Sequence, residues 1–461
     1  MSYQSINPYT AEILKTYPEI TDKQLEQSIV TAHQSYQAWR ALKFSERAAI
    51  MLKAASLLRS RVDEFASYMT LDMGKLIAES RGEVELSAAI LEYYAKHAEQ
   101  FLEPLHLAPE HGTASVESSP VGVIFGVQPR NFPYYQLARF AAPNIMAGNV
   151  VMVKHAGCVP QCALAFEKLF IDAGAPVGVY TNLFISYPQV EIVIADVRIK
   201  GVALTGSVEA GKRVASSAGK HMKKSTMELG GCDAFIVFED ADLVASLRWG
   251  MWAKMNNMGQ CCIAAKRFIV IDAYYDKFLE GFKAQMQALK PGDPMHADTT
   301  LGPLSTEAAL VNLVKQVELA VKSGAKLVLG GARMSNQKGA FMQPTILTGV
   351  TPKNPAYRDE FFGPVAIFYR VKNEEEAIAL ANDSDFGLGC SVFTADIKRG
   401  KRVASQIEAG MVFINHPTWT APDLPFGGIN DSGYGRELSS LGIQEFVNKK
   451  LVRTSALDAP A

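Results

Sequence analysis

With 461 residues, 48% of them hydrophobic and 20% charged, the chain has material for roughly two to four packed domains, which excludes both a lone small module and a disordered segment. Lys plus Arg number 46 against 47 Asp plus Glu, and the resulting charge of −1 supplies no global field for nucleic acid or an anionic membrane. Six cysteines, with Cys261 and Cys262 adjacent, are too sparse for a secreted disulfide framework, so reduced thiols and a cytoplasmic setting are expected.

Met1 to Pro8 shows neither a basic nor an apolar leader pattern. Thr21 with Gln24 spells a capping box and opens a helix, Ser45 opens a long amphipathic helix ending near Gly74, and another helix runs from about Glu83 to Glu103. A polar interval, His111 to Ser119, follows. From there short apolar strands alternate with helical stretches: Val121–Val127, Val150–Lys154, Thr181–Ile185 and Val202–Thr205. This alternation indicates βαβ units and a parallel sheet. The most apolar stretch, Phe140 to Val153, is interrupted by Pro143, Asn144 and Asn149, so no membrane span is expected.

A second α/β series takes in Ala234–Phe238, Phe268–Ile271, Leu327–Leu329, Val365–Arg370 and Met411–Asn415. Gln444 to Thr454 ends in alternating apolar residues and reads as an edge strand, for which Thr113–Glu117 or another subunit is the partner. The fold class is therefore α/β.

Four short segments carry chemistry. Gly206-Ser207-Val208-Glu209-Ala210-Gly211-Lys212-Arg213 follows a strand and opens a helix, where free N–H groups and the helix dipole suit a phosphate. It nearly spells a P-loop, but Arg213 stands where a magnesium-binding hydroxyl belongs, which disfavours a nucleoside triphosphatase. No dinucleotide G-x-G-x-x-G occurs there either. Gly259-Gln260-Cys261-Cys262 places a thiol in a Gly-containing turn, either a candidate nucleophile or an ordinary buried cysteine. Zinc is disfavoured, because His155, Cys158 and Cys162 lack paired C-x-x-C spacing, and no metal is expected. Glu228 precedes Gly230 and Gly231 in an apolar setting that would raise its pKa toward that of a general base. Asn131, between prolines at 129 and 133, offers a fixed amide donor for an oxyanion.

Taken in order with Lys154, Glu360-Phe361-Phe362-Gly363-Pro364 and Pro425-Phe426-Gly427-Gly428, these segments resemble those of the aldehyde dehydrogenases along essentially the whole chain. Lys154-His155-Ala156 and Cys262-Ile263-Ala264-Ala265-Lys266-Arg267-Phe268 are most similar to bacterial succinate-semialdehyde dehydrogenases. The resemblance implies a Rossmann-like cofactor domain (1–100 and 121–231), an α/β catalytic domain (232–436) and a small β extension (101–120 and 437–461). By the same resemblance, the extension is expected to pair subunits into homodimers or homotetramers. It implies oxidation of succinate semialdehyde with NADP or NAD, with Cys262 as nucleophile, Asn131 and the Cys262 N–H as oxyanion hole, and Glu228 as the base for water. Lys154 and Gly157 would meet the adenosine ribose, Thr205, Gly206 and Ser207 the pyrophosphate, and Glu360 the nicotinamide ribose, with Leu229 and Phe362 beside them. Arg139 would bind the substrate's distal carboxylate.

Three positions depart from the family pattern. Arg130 replaces a Trp, and either points to solvent or adds positive potential near an anionic ligand, here assigned with Arg139 to the substrate. Gly157 stands where NAD-preferring relatives place a Glu that repels a 2′-phosphate, so NADP is expected to serve at least as well as NAD. Asn256 occupies the place of a second anchoring Arg. The alternatives are a dehydrogenase of other aliphatic aldehydes and, because of Arg130, a catalytically impaired homologue kept as a binding subunit.

Overall fold

In a computed structural model that describes residues 3–458, the N-terminal amphipathic segments form four helices, Asp22–Trp39, Phe44–Ser60, Val62–Met73 and Ile77–Phe101. The capping box forms as the sequence indicates: the Thr21 N–H donates to Gln24 Oε1 at 2.8 Å, and Thr21 Oγ1 accepts from the Gln24 N–H at 3.3 Å. The single helix expected between Ser45 and Gly74 is instead two, broken at Arg61 (φ −116°, ψ 27°). Neither Gly nor Pro marks that break; Arg61 reaches across to Asp172 at 2.6 Å, a tertiary contact with no local signature. The next helix begins at Ile77 rather than near Glu83, its first N–H donating to Pro294 O at 2.9 Å.

Five parallel strands, Lys224–Glu228, Ile199–Thr205, Val123–Val127, Val150–Lys154 and Tyr180–Asn182, lie side by side in that order, with Gly433–Tyr434 antiparallel at the Lys224–Glu228 edge. In chain order the first strand is Val123–Val127. The next two add on one side of it, and Ile199–Thr205 returns to the other side. This reversal puts a crevice outside the carboxyl ends of Val123–Val127 and Ile199–Thr205, where open α/β sheets bind ligands. The seven-stranded sheet runs Lys326–Leu329, Thr345–Thr348, Val365–Val371, Ala265–Ile271, Asp233–Val237, Gly389–Phe393 and Met411–Ile414, parallel except at its first pair.

The apolar stretch from Phe140 belongs to a helix, Pro133–Ala147, every residue of which is buried between sheet and helices. Among the described residues no helix is long and apolar enough to cross a membrane, and no group of three or more His, Cys, Asp or Glu is arranged to hold a metal ion. The polar interval is mostly strand: Thr113–Pro120 pairs antiparallel with Val447–Thr454 along its length. Its side chains are largely half-buried, so no alternation of apolar residues marks it.

Candidate active site

The helix Leu243–Met255 runs into a turn in which Asn257, Met258 and Gly259 all adopt left-handed backbone (φ 53°, 56° and 73°). Gly259 must lack a side chain, because a Cβ there would lie 2.1 Å from Gly363 O. The strained turn is held from several sides. The Asn257 N–H donates to Glu79 Oε1 at 3.1 Å, and its side-chain amide donates to Asn131 O at 2.8 Å and Gln260 O at 3.2 Å. Beneath the turn, buried Lys266 donates to the carbonyls of Cys261 and Cys262 at 2.8 and 2.7 Å and pairs with Glu360 at 3.0 Å. One ammonium thereby fixes the thiol-bearing loop and the Glu360 carboxylate together. Sequence reasoning passed over Lys266 because its partners come from a fold contact.

Asn131 Nδ2 donates to Gln260 O at 3.1 Å, while its Oδ1 accepts from Gln136 Nε2 at 3.0 Å. That pairing fixes which end of the amide is the donor and leaves its second hydrogen for a ligand. Glu228 is the last residue of a strand rather than part of a loop, and is buried. Burial raises it to about 7 despite the opposing Arg139 guanidinium, which reaches its Oε2 at 3.2 Å; Glu437 pushes it further up. The hydrogen bond between the adjacent thiols, with burial added, holds Cys262 well above the usual thiol range; the same bond holds Cys261 below it, against the rise that burial imposes.

Arg139 is not on the aldehyde-side wall where the sequence reading put it. It is 1% exposed, ion-paired with both Glu228 and Glu437, and donates to Thr205 Oγ1 and the Tyr135 hydroxyl, each at 3.1 Å. A buried guanidinium needs these partners; they engage four of its five N–H donors, and Arg139 lines neither of the cavities that Cys262 borders. Arg139→Met is expected to cost about 3–5 kcal/mol, the loss typical when one member of a buried pair is removed. Without the cation, Glu228 should also titrate higher, so the rise of kcat with pH should move to higher pH. Urea unfolding and a pH–rate profile check both effects.

A cavity of about 270 Å³ is walled by Phe132, Tyr135, Trp252, Trp419, Phe426 and Ile263, with Cys261 and Cys262 at its end and Glu79, Asn256 and Thr420 among its polar groups. No cation lines it. A second cavity, also about 270 Å³, is lined by Asn131, Thr205, Gly206, Ser207, Glu228, Leu229, Cys262, Glu360 and Phe362. Arg130 lies on this second wall, not on the first, its Nε donating to Ser305 Oγ at 2.6 Å; the substrate-side placement is corrected accordingly. Cys262 lines both cavities, and Cys261 only the first.

Lys154 and Gly157 line a third cavity of about 470 Å³. Lys154 Nζ sits 5.5 and 5.3 Å from the rings of Tyr3 and Tyr187, and Glu19 is on the same wall. Tyr3 arrives by tertiary pairing, the Gln4 N–H donating to Gly157 O at 3.0 Å, and so had no signal near the motif. The second and third cavities flank the crevice at the reversal of strand order. The helix Val208–Lys220 points its N-terminus there, although the Gly206 N–H is spent on Glu228 O at 2.9 Å; the Thr205 hydroxyl accepts from Arg139 and keeps its own hydrogen to donate. Helix-end amides, a half-buried lysine between aromatic rings and the Glu360 carboxylate form a donor and acceptor set that fits a dinucleotide.

The family model for the aldehyde dehydrogenase family matches residues 1–452. A protein of Deinococcus radiodurans named succinate-semialdehyde dehydrogenase (NADP+) is 50% identical over 451 residues, covering 98% of this chain and 94% of that one. A probable succinate-semialdehyde dehydrogenase (NADP+) of Synechocystis is 44% identical, covering 98% and 99%. The solved structure of succinic semialdehyde dehydrogenase from Streptococcus pyogenes in complex with NADP+ is similar at a TM-score of 0.97 and 46% identity, covering 98% of this chain and all of that one.

Proposed function

The chain belongs to the aldehyde dehydrogenase family of NAD(P)-dependent oxidoreductases, and from that premise we propose that it oxidises succinate semialdehyde to succinate, with NADP as the preferred cofactor. The observation that carries the chemistry is the position of Cys262, the one of the two adjacent thiols that borders both the aromatic cavity and the dinucleotide cavity, within the surroundings of Asn131 and Glu228. A single thiol there can meet a carbonyl carbon from one side and present it to a hydride acceptor on the other. The substrate assignment is supported by relatives that carry that name at 43–50% identity.

Cys262 adds to the aldehyde as its thiolate after its proton has left to solvent, an ionisation that Cys261, burial and the Glu228 charge oppose and the Arg139 charge partly offsets. Asn131 Nδ2 and the Cys262 N–H stabilise the oxyanion of the thiohemiacetal, the former pre-aimed by Gln136. When bound, NADP would supply the hydride acceptor, and loss of hydride from the thiohemiacetal carbon would leave a thioester on Cys262. Glu228, near 7, then takes a proton from water, which attacks the thioester and releases the acid. Lys154 would hold the adenosine ribose and its 2′-phosphate, and Glu360, oriented by Lys266 and the Gly231 N–H at 3.1 Å, the nicotinamide ribose.

Gly157 has room for a longer side chain, since a Cβ would meet only Tyr3 Cδ1 at 3.8 Å. Gly157→Glu should therefore fold normally and shift the NADP-to-NAD ratio of kcat/KM toward NAD by about tenfold or more, through repulsion of the 2′-phosphate. An unchanged ratio removes the electrostatic basis of the preference.

With Arg139 withdrawn, the substrate carboxylate is met by a relay of hydroxyls. A guanidinium only donates, so the Tyr135 oxygen accepts from Arg139, which favours Tyr135 as the donor in its 2.7 Å hydrogen bond with Thr420 Oγ1. The Thr420 hydrogen is then free to point into the aromatic cavity, polarised by a charge that never enters it. Thr420→Val should raise the KM for succinate semialdehyde about tenfold and leave butanal nearly unaffected. The test of the function as a whole is NADPH formation with these two aldehydes; equal kcat/KM for both would leave a general aliphatic aldehyde dehydrogenase. The exposed edge strand Val447–Thr454 supports pairing of this face with a second copy.

A further inference from the structure

Arg130 follows the carboxyl end of Val123–Val127, the middle strand of the three that flank the crevice. On one side Ile199–Thr205 delivers Gly206 and Ser207; on the other Val150–Lys154 delivers Lys154 and Cys158. Its side chain lines the cavity that holds Cys262 and Glu360. Its charge also reaches Cys158 on the wall of the adenosine-side cavity, where it opposes the rise that burial imposes on that thiol. Arg130 thus stands between the two cavities that the halves of a dinucleotide would fill.

The side chain is aimed rather than loose. Nε is tied to Ser305 Oγ at 2.6 Å, which leaves the two terminal nitrogens as a fork; among the described residues Arg130 forms no salt bridge, and Glu360 on the same cavity wall is paired with Lys266 at 3.0 Å. A half-buried cation with a fixed stem and no acidic partner is suited to an anion with two or more oxygens.

We infer that Arg130 is a cofactor-binding residue that pairs with the pyrophosphate of the dinucleotide, a cationic contact that this chain has at a position where the family pattern carries Trp. The inference rests on the dinucleotide reading of the two cavities. The pyrophosphate is common to NADP and NAD, so the contact adds affinity for both and takes no part in choosing between them. That separates it from Lys154, whose expected contact is with the 2′-phosphate.

Calorimetric titration of Arg130→Gln with NADP+ and with NAD+ tests it, together with inhibition by inorganic pyrophosphate against NADP+. The expected result is weaker binding of both dinucleotides by a similar factor, about tenfold, with loss of most pyrophosphate inhibition. The KM for the aldehyde at saturating cofactor should be unchanged. Ser305→Ala, which only frees the stem, should move the same constants in the same direction by less. Unchanged affinities in both variants overturn the inference. So does a loss confined to NADP+, which would put the charge on the 2′-phosphate, or a raised aldehyde KM alone, which would put it on the substrate. Failure of the wild-type protein to bind either dinucleotide would instead sink the cofactor reading itself.

Discussion

Cys262→Ala is expected to abolish NADPH formation, while Cys261→Ala keeps most of it. Both thiols border the aromatic cavity, and chemistry alone does not separate them. Position does: the carbon under attack must then pass a hydride across to the dinucleotide, and only Cys262 borders that second cavity. The loop should survive either change, because Lys266 grips the two backbone carbonyls and not the sulfurs. Cys262→Ala removes the covalent route altogether, so residual turnover should be lower by about four orders of magnitude or more, as when other covalent nucleophiles are deleted. Equal loss in the two variants, measured on folded protein, would mean that the nucleophile is not decided by access to both cavities.

Glu228→Gln should retain a burst of NADPH in the first turnover and slow the steady state by about two orders of magnitude or more. The amide fills the same space and can still accept from Arg139, so folding and acylation should be spared; what disappears is a group able to take a proton near neutral pH. In wild type the carboxylate form is the active one. Its proton is lost as pH rises through about 7, so kcat should climb through that range, and this limb should be missing in the variant. Rapid-mixing kinetics at several pH values read both effects. A lost burst with intact cofactor binding would assign Glu228 to ionising Cys262 instead.

The α/β class and most strands were legible because buried parallel strands are short apolar runs: Val150–Lys154 and the run beginning at Val365 are found almost as read. Lys224–Glu228 was not, since its single strongly apolar residue, Met227, gives no periodic signal, and its place is set by the neighbours that pair with it. Within the site, short motifs revealed the residues held by local backbone, such as Asn131 and Cys262. The charge network was opaque for the opposite reason. Arg139 meets Glu228 and Glu437 only after the chain has folded, so a sequence that shows a cation beside a tunnel does not show whether the cation is already spent. Lys266, Thr420 and Tyr3 were hidden in the same way.

Gly433–Tyr434 borders the Glu228 strand, the Leu229 N–H donates to Ser432 O at 3.0 Å, and Glu437 is the second carboxylate on Arg139. Synthesis delivers these residues long after Asn131, Arg139 and Cys262. Loop closure over such separations is a late event, favoured only once the intervening core has condensed. A nascent chain that already carries its thiol therefore lacks the edge strand beside its base and one of the charges that tune it. The thiol and the base are thus encoded early, but the surroundings that tune the base are completed only by residues 432–437.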